Sequence, residues 1–177
     1  LAAVDAGRCA ARVAAVVSDR SRAPALRLAE GRGIPARVVR PRDHAERTSW
    51  DAALAEAIGE HDPQLVVLAG FMRLVGASVL ARFGGRLVNV HPSLLPAFPG
   101  LDAPAQAVRA GVRLSGCTVH LVDDGVDSGP ILAQAAVPVH PDDDAASLHA
   151  RIQRLEHRLL PAVVDAVATG RIDPGPP

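Results

Sequence analysis

The sequence predicts an α/β fold with a mostly parallel central sheet flanked by helices. Three short runs rich in β-branched residues, at 13–18, 36–40 and 64–70, have the composition of strands buried on both faces. Stretches with helical periodicity separate these runs. Because a strand–helix–strand unit makes a right-handed crossover, the alternation indicates parallel strands.

Local signals mark the start of two helices in the first half of the chain. Pro24 suits the first turn of one helix, and Ser49 precedes a second. The predicted helices cover residues 25–30, 50–60 and 77–83, and the last of them leads into a strand at 86–90.

The pattern changes in the second half. After a short helix near 103–110, strands are predicted at 116–122 and 131–139, and we expect them to join the same sheet with mixed direction. From residue 145 onward, apolar residues recur at helical spacing, which predicts a final helix packed on the sheet. Pro161 predicts a kink or break in that helix. We expect one domain over 1–177, with 171–177 as a frayed tail.

Composition excludes several classes of function. Nineteen basic and nineteen acidic residues give a net charge of zero, so no overall field attracts nucleic acid or a membrane surface. All nineteen basic residues are arginine, which excludes Schiff-base chemistry and a Walker-type lysine. The two cysteines have no metal-site spacing, and no apolar run could span a bilayer. We therefore expect a cytoplasmic protein with no metal site, and neither nucleic acid nor a membrane as its partner.

The strand at 86–90 ends in two polar residues that could carry chemistry. The period of two in a strand places Asn89 and His91 on the same side. Ligands of open α/β sheets bind beyond the carboxyl ends of the strands, where this pair lies. Both side chains can donate to an oxygen that becomes negative when a carbonyl is attacked, which indicates acyl-type transfer. A turn-forming Asn89 and a structural His91 also fit the composition.

A carboxylate near His91 would orient its ring and favour its charged form. Asp123, Asp124 and Asp127 all lie in the loop between the two later strands. Their spacing does not choose between them.

Four segments, in the right order and at the right intervals, resemble the phosphoribosylglycinamide formyltransferase family. They are AGFMRL at 69–74, NVHPSLLPAFPG at 89–100, GCTVHLVDDGVDSGPIL at 116–132 and QRLEHRLLP at 153–161. The resemblance implies a Rossmann-like formyltransferase fold, 10-formyltetrahydrofolate as formyl donor and the amine of glycinamide ribonucleotide as acceptor, in purine biosynthesis. It also implies that Asn89, His91 and Asp127 are the catalytic residues.

The same resemblance implies two sets of binding residues. Those for the folate are Phe71, Met72, Arg73, Leu74, Val122, Asp123 and Asp124. Those for the ribonucleotide are Arg47, Pro92, Gln153 and Glu156. Ordinary packing and a solvated helix face are the alternatives for these positions. His120 also matches a family position, and its place within a strand favours a structural role.

The chain departs from the family at its beginning. Members start with a strand and a Gly-Ser-Asn loop that holds the substrate phosphate, and no such segment is found here. We therefore expect an N-terminally truncated domain, a gap between the strands at 13–18 and 64–70, and weak phosphate binding. Alternatives are another folate-dependent formyltransferase, a formyltetrahydrofolate hydrolase or a non-catalytic folate-binding fragment. AGFMR at 69–73 and FPG at 98–100 favour a phosphoribosylglycinamide formyltransferase over these alternatives. The sequence does not predict the oligomeric state.

Overall fold

A computed structural model describes residues 1–173 as strands and helices that alternate along most of the chain. The helices are α1 (Ala2–Asp5), α2 (Pro24–Glu30), α3 (Arg47–Gly59), α4 (Ala77–Phe83), α5 (Ala103–Ala110) and α6 (Ala145–Ala168), with a 3-10 turn at Pro41–Asp43. The strands are β1 (Val16–Ser18), β2 (Ala36–Val38), β3 (Val66–Leu68), β4 (Leu87–His91), β5 (Leu114–Leu121) and β6 (Ile131–Pro138). The predicted α/β class is confirmed.

The strands form two hydrogen-bonded sheets. β1 pairs in parallel with β2, and a second sheet has the order β3-β4-β5-β6. Within the second sheet β3 and β4 are parallel, whereas β4, β5 and β6 are successively antiparallel, which confirms the predicted mixed direction. Among residues 1–173 the pair β1-β2 forms a sheet separate from β3-β4-β5-β6. Two of the four described pairings are parallel and two are antiparallel.

Local capping sets the helix starts. Pro24 opens α2 and the bounds of α4 agree with the prediction. The predicted start of α3 after Ser49 is wrong, because Glu46 is the N-cap and Ser49 lies three residues further on. The Ser49 side chain returns to the Glu46 backbone in a capping box. The predicted break at Pro161 is absent, since α6 continues through it.

The first core joins the two sheets. It contains Val39 after β2, Trp50 and Leu54 of α3, Val66 of β3 and Leu87 of β4. The Trp50 indole Nε1 donates to the Val39 carbonyl at 2.9 Å, which fixes the end of β2 against α3. This core therefore connects β2 to the larger sheet without any strand pairing.

Two further cores enclose the other end of the larger sheet. In one, Leu148 and Ile152 of α6 pack with Cys117 of β5. In the other, Val88 of β4 packs with Val163 of α6. Leu87 and Val88 thus bury opposite faces of β4, which makes this strand a rigid support for the residues that follow it.

The chain after α6 stays attached to that helix. The backbone amides of Arg171 and Ile172 donate to the Ala166 carbonyl at 2.7 and 3.1 Å. The remainder of the predicted frayed tail, 174–177, lies outside the described residues. No described helix is both long enough and apolar enough to cross a membrane.

Candidate active site

Four polar side chains lie on the paired strands β4 and β5: Asn89, His91, Thr118 and His120. In the antiparallel register, Asn89 lies opposite His120 and His91 lies opposite Thr118. Directly opposed residues share a face of the sheet, and residues two apart in a strand also share one. The backbone geometry therefore places Asn89, His91 and His120 on one face, as the sequence predicts for Asn89 and His91.

Both ring nitrogens of His91 face acceptors. Nε2 lies 2.8 Å from the Phe98 carbonyl oxygen, and Nδ1 lies 3.2 Å from Oδ2 of Asp127. A carbonyl oxygen only accepts, so Nε2 carries a hydrogen and Nδ1 carries one only when the ring is protonated. The His91 side chain is 6% exposed, so its contact with Asp127 is withdrawn from solvent.

Asp127 connects three segments of the site. Its backbone is left-handed, with φ of 53°, a conformation that Asp tolerates better than most residues. Oδ2 accepts from the Gly100 amide at 2.8 Å, and Oδ1 lies 3.6 Å from Nε2 of His120. The carboxylate is 15% exposed. Contacts to both histidines make it the acid that faces the site.

The other two loop acids lie elsewhere. Asp123 accepts from the Gly125 amide at 3.1 Å and from the Ser128 hydroxyl at 2.8 Å, so its side chain holds the loop together. Asp124 is exposed to solvent. The geometry thus separates one loop carboxylate from its two neighbours, a choice that sequence spacing left open.

The strand position of His120 favoured a structural role, and the structure places this residue beside Asn89. Its Nδ1 donates to the Leu121 carbonyl at 2.8 Å, which leaves Nε2 as an acceptor for the Asn89 amide nitrogen at 3.3 Å. This contact uses one of the two amide hydrogens of Asn89. The match of His120 to a family position was the only signal in the sequence, and the β4–β5 register shows that it lies opposite Asn89.

A polar network behind the site fixes the turn after β4. The Thr118 hydroxyl donates to the Ser93 carbonyl at 2.7 Å and accepts from the Leu95 amide at 3.0 Å. The Gln134 amide nitrogen donates to the Leu95 carbonyl at 2.9 Å. These buried contacts hold the turn that presents the Phe98 carbonyl to His91.

The segment predicted for the folate forms a partly exposed surface beyond β3. Phe71 stacks on Trp50 with ring centroids 6.3 Å apart and 11° between the planes. Met72 and Leu74 are 69% and 63% exposed, which leaves apolar side chains open to a ligand. The Val122 amide donates to the Leu87 carbonyl at 2.8 Å, so the loop with Asp123 and Asp124 starts beside β4.

Arg47 also belongs to this surface. Its guanidinium donates to the Leu74 carbonyl and lies 4.8 Å from the centre of the Trp50 ring. The structure therefore groups Arg47 with the residues predicted for the folate, although the family resemblance assigns it to the ribonucleotide.

The remaining predicted residues lie at the end of β4 and on α6. Pro92 follows His91 in the chain and is half-buried, and Gln153 is exposed on α6. Burial raises the pKa of Glu156, against the opposing charges of His149, His157 and His91. Burial, followed by the charge of Glu156, raises the pKa of the Cys117 thiol to about 11. Glu156 itself is half-buried on α6. Residues 1–173 contain no cluster of metal-ligating side chains.

Comparison with known proteins identifies the family. The family model described as "Formyl transferase" matches residues 1–164. Phosphoribosylglycinamide formyltransferase of Mycobacterium tuberculosis is 52% identical over 159 residues, covering 90% of this chain and 74% of the relative. The enzyme of that name from Bacillus subtilis is 42% identical over 154 residues, covering 87% of this chain and 79% of the relative.

Solved structures agree with these relatives. Glycinamide ribonucleotide transformylase 1 from Symbiobacterium toebii superimposes with a TM-score of 0.92 at 48% identity, over 96% of this chain and 80% of that one. Phosphoribosylglycinamide formyltransferase from Bacillus halodurans gives 0.90 at 38% identity, over 97% of this chain and 88% of that one. Fold and relatives together define a Rossmann-like enzyme that transfers formyl groups. The chain belongs to the phosphoribosylglycinamide formyltransferase family, which confirms the predicted family and enzyme class.

Proposed function

We propose that this protein transfers the formyl group of 10-formyltetrahydrofolate to the amine of glycinamide ribonucleotide in the cytoplasm, as a step of purine biosynthesis. The observation that carries the proposal is the polar cluster at the end of β4, in which Asn89 contacts His120 and His91 faces Asp127. The names of the relatives support the choice of acceptor.

Asn89 is the donor for the charge that develops on the formyl oxygen. Attack by the neutral amine on the formyl carbon makes a tetrahedral intermediate whose oxygen is negative. The Asn89 amide has one hydrogen not used by His120, and the bond to His120 holds that hydrogen in a fixed direction. A donor oriented before the reaction stabilises such an oxyanion without reorganisation at the moment of attack.

His91 supports the oxyanion and Asp127 the proton transfer. The Nε2–H group of His91 bonds to the Phe98 carbonyl, so it donates to the oxyanion only once that bond opens. The attacking amine loses a proton and the departing folate nitrogen gains one. The Asp127 carboxylate accepts the first and returns the second through water, and direct transfer requires no covalent enzyme adduct.

Residues on the two sides of the cluster bind the two substrates. The folate uses Phe71, Met72, Arg73, Leu74 and the loop that starts at Val122, Asp123 and Asp124, where open apolar side chains and backbone polar groups lie together. Arg47, held against Leu74, joins this set. The ribonucleotide uses Pro92, Gln153 and Glu156, whose amide and carboxyl groups suit ribose hydroxyls.

A formyl-transfer assay tests the proposal. Purified protein is incubated with 10-formyltetrahydrofolate, with and without glycinamide ribonucleotide, and formylated ribonucleotide and formate are both quantified. We expect formylated product that requires the ribonucleotide, at a rate that falls about 10² to 10³-fold in Asn89→Ala. Formate released at equal rates with and without acceptor would identify a hydrolase instead. Folate binding without either product would identify a non-catalytic binding protein.

A further inference from the structure

One side of α3 holds the segment that connects β3 to α4. This segment, residues 69–76, forms neither helix nor strand, and it contains four of the residues proposed to bind the folate. Arg47 lies three residues before Trp50 and four before Asp51, a spacing that places the three side chains on the same side of the helix. All three of them contact the segment or the residues that follow it.

Two of these contacts are made to the middle of the segment. Trp50 stacks on Phe71 with 6.3 Å between the ring centroids, and the Arg47 guanidinium donates to the Leu74 carbonyl. Neither contact binds a backbone amide of the segment, so the amides at its α4 end need another partner.

Asp51 is that partner. It is 3% exposed, and its Oδ1 accepts from the Gly76 amide at 2.8 Å while its Oδ2 accepts from the Ser78 amide at 2.7 Å. Gly76 is the N-cap of α4 and has no side chain with which to cap the helix, so a carboxylate from a different helix binds two amides of the first turn. A buried carboxylate requires such partners, and both of its oxygens are used here.

The backbone at Gly76 leaves space for this carboxylate. A Cβ atom at that position would lie 2.5 Å from the Asp51 Cγ, which is too close for two carbon atoms that are not bonded. The φ of Gly76 is −95°, a value open to any residue, so the glycine serves the close approach and not an unusual backbone conformation. Asp51 and Gly76 therefore fit together as a pair.

We propose that Asp51 is a positioning residue for the folate, which fixes the α4 end of segment 69–76 in its binding conformation before the folate arrives. Asp51 is buried and acts through the backbone of the segment, without touching the folate. A segment that is already ordered loses less conformational entropy on binding, so its affinity for the ligand is higher. This inference rests on the proposed function, since it requires a folate on the segment.

Equilibrium binding of tetrahydrofolate and of glycinamide ribonucleotide to Asp51→Asn tests the inference. Asparagine has nearly the shape of aspartate, but its single acceptor oxygen can serve only one of the two amides. We expect the Kd for tetrahydrofolate to rise about tenfold, because the segment must then be ordered by the ligand. The Kd for the ribonucleotide and kcat at saturating folate should stay unchanged. Calorimetry and steady-state kinetics measure these quantities.

Two further variants separate positioning from stability. Gly76→Ala keeps the carboxylate but displaces it from both amides, so we expect the same rise in the Kd for tetrahydrofolate. Val79→Ala, at a fully buried position of α4, lowers Tm through lost packing and leaves the contacts of Asp51 intact, so it should bind tetrahydrofolate like the wild type. Faster hydrogen exchange at the Ser78 amide in Asp51→Asn and Gly76→Ala shows that the contact has been lost.

Two results would overturn the inference. One is a wild-type Kd for tetrahydrofolate in both Asp51→Asn and Gly76→Ala. The other is an equal rise of that Kd in Val79→Ala, which would make the effect one of stability alone. Folate binding without formyl transfer, with the rise confined to Asp51→Asn and Gly76→Ala, would contradict the proposed function and leave the role of Asp51 supported. A wild-type protein that binds no tetrahydrofolate would contradict both.

Discussion

The polar side chains beside the two sheets of this protein differ in burial and in hydrogen-bond or ion-pair partners. Beside the four-stranded sheet, His91 and His120 are almost fully buried and each has fixed partners. Around the ends of the two-stranded sheet, arginines such as Arg42 are exposed and share too few carboxylates. Bond-making chemistry needs polar groups that are oriented and withdrawn from water, and of these two regions only the first provides them.

The strands of the two regions also differ in length and burial. β5 and β6 each have eight residues, and β4 is buried on both faces. β1 and β2 have three residues each, and all three of β2 are exposed. The site proposed for chemistry thus lies on the part of the molecule with the more extensive strand pairing.

The largest effect is expected for Asp127→Asn. Asn tolerates the left-handed backbone and has nearly the same shape, so the substitution removes mainly the charge that faces His91. We expect turnover to fall about 10³-fold with little change in thermal stability. Steady-state kinetics and circular dichroism measure the two quantities. Asp142→Asn, an exposed acid after β6, is the control, and near wild-type turnover in Asp127→Asn would remove this carboxylate from the mechanism.

Hydrogen exchange tests the difference between the sheets directly. The amides of Val88 and Val119 lie in buried strands of the larger sheet, whereas Arg37 lies in the exposed β2. We expect the former to exchange on the order of hundredfold more slowly, because local opening needs less free energy where fewer apolar contacts are lost. Equal protection in both sheets would mean that they open as one cooperative unit.

Trp50→Phe tests the core that connects the two regions. Trp50 is 1% exposed, and its indole donates to the Val39 carbonyl. Phenylalanine retains most of the packing and leaves that carbonyl without its donor, at a cost of about 1 to 3 kcal/mol in the free energy of unfolding. Urea denaturation followed by circular dichroism measures the change. An unchanged midpoint would show that the hydrogen bond is not what holds β2 in place.

His120→Ala tests whether this histidine acts through Asn89. Losing the contact at Nε2 should lower turnover about tenfold, since the Asn89 amide would no longer be oriented. In Asn89→Ala/His120→Ala, we expect no loss beyond that of Asn89→Ala, because residues that act as a unit are not additive. Independent, multiplicative losses would indicate a separate role for His120.

These residues also show how far sequence alone can go. Helix α4 lies between Gly76 and Gly84, so its bounds follow from the sequence. The period of two in a strand is also a local property, and it places Asn89 and His91 on one face of β4. His120 reaches Asn89 only through the β4–β5 register, which the connection between those strands does not specify.

Two further features lie beyond local reasoning. Choosing Asp127 over Asp123 depends on the loop conformation, where one carboxylate turns inward and the other binds its own loop. The arginines around the carboxyl ends of β1 and β2 come from segments between residues 20 and 73, and no single motif contains them. Both are set by tertiary packing and not by local sequence preference.

The smallest effect concerns Asp143, which lies just before α6. Arg151 donates to its two oxygens at 2.7 and 2.8 Å and, with a backbone hydrogen bond from His140, holds the pKa of Asp143 well below its usual range. The folded-state pKa is therefore below the unfolded one, so this stabilisation is present at neutral pH and is lost as the pH falls below about 4. Asp143→Asn should lower Tm slightly at pH 7 and flatten its fall between about pH 4 and pH 2. Thermal melts across that range, with Asp142→Asn as the control, measure it. A variant that loses as much Tm on acidification as the wild type would show that other carboxylates govern the acid sensitivity of this fold.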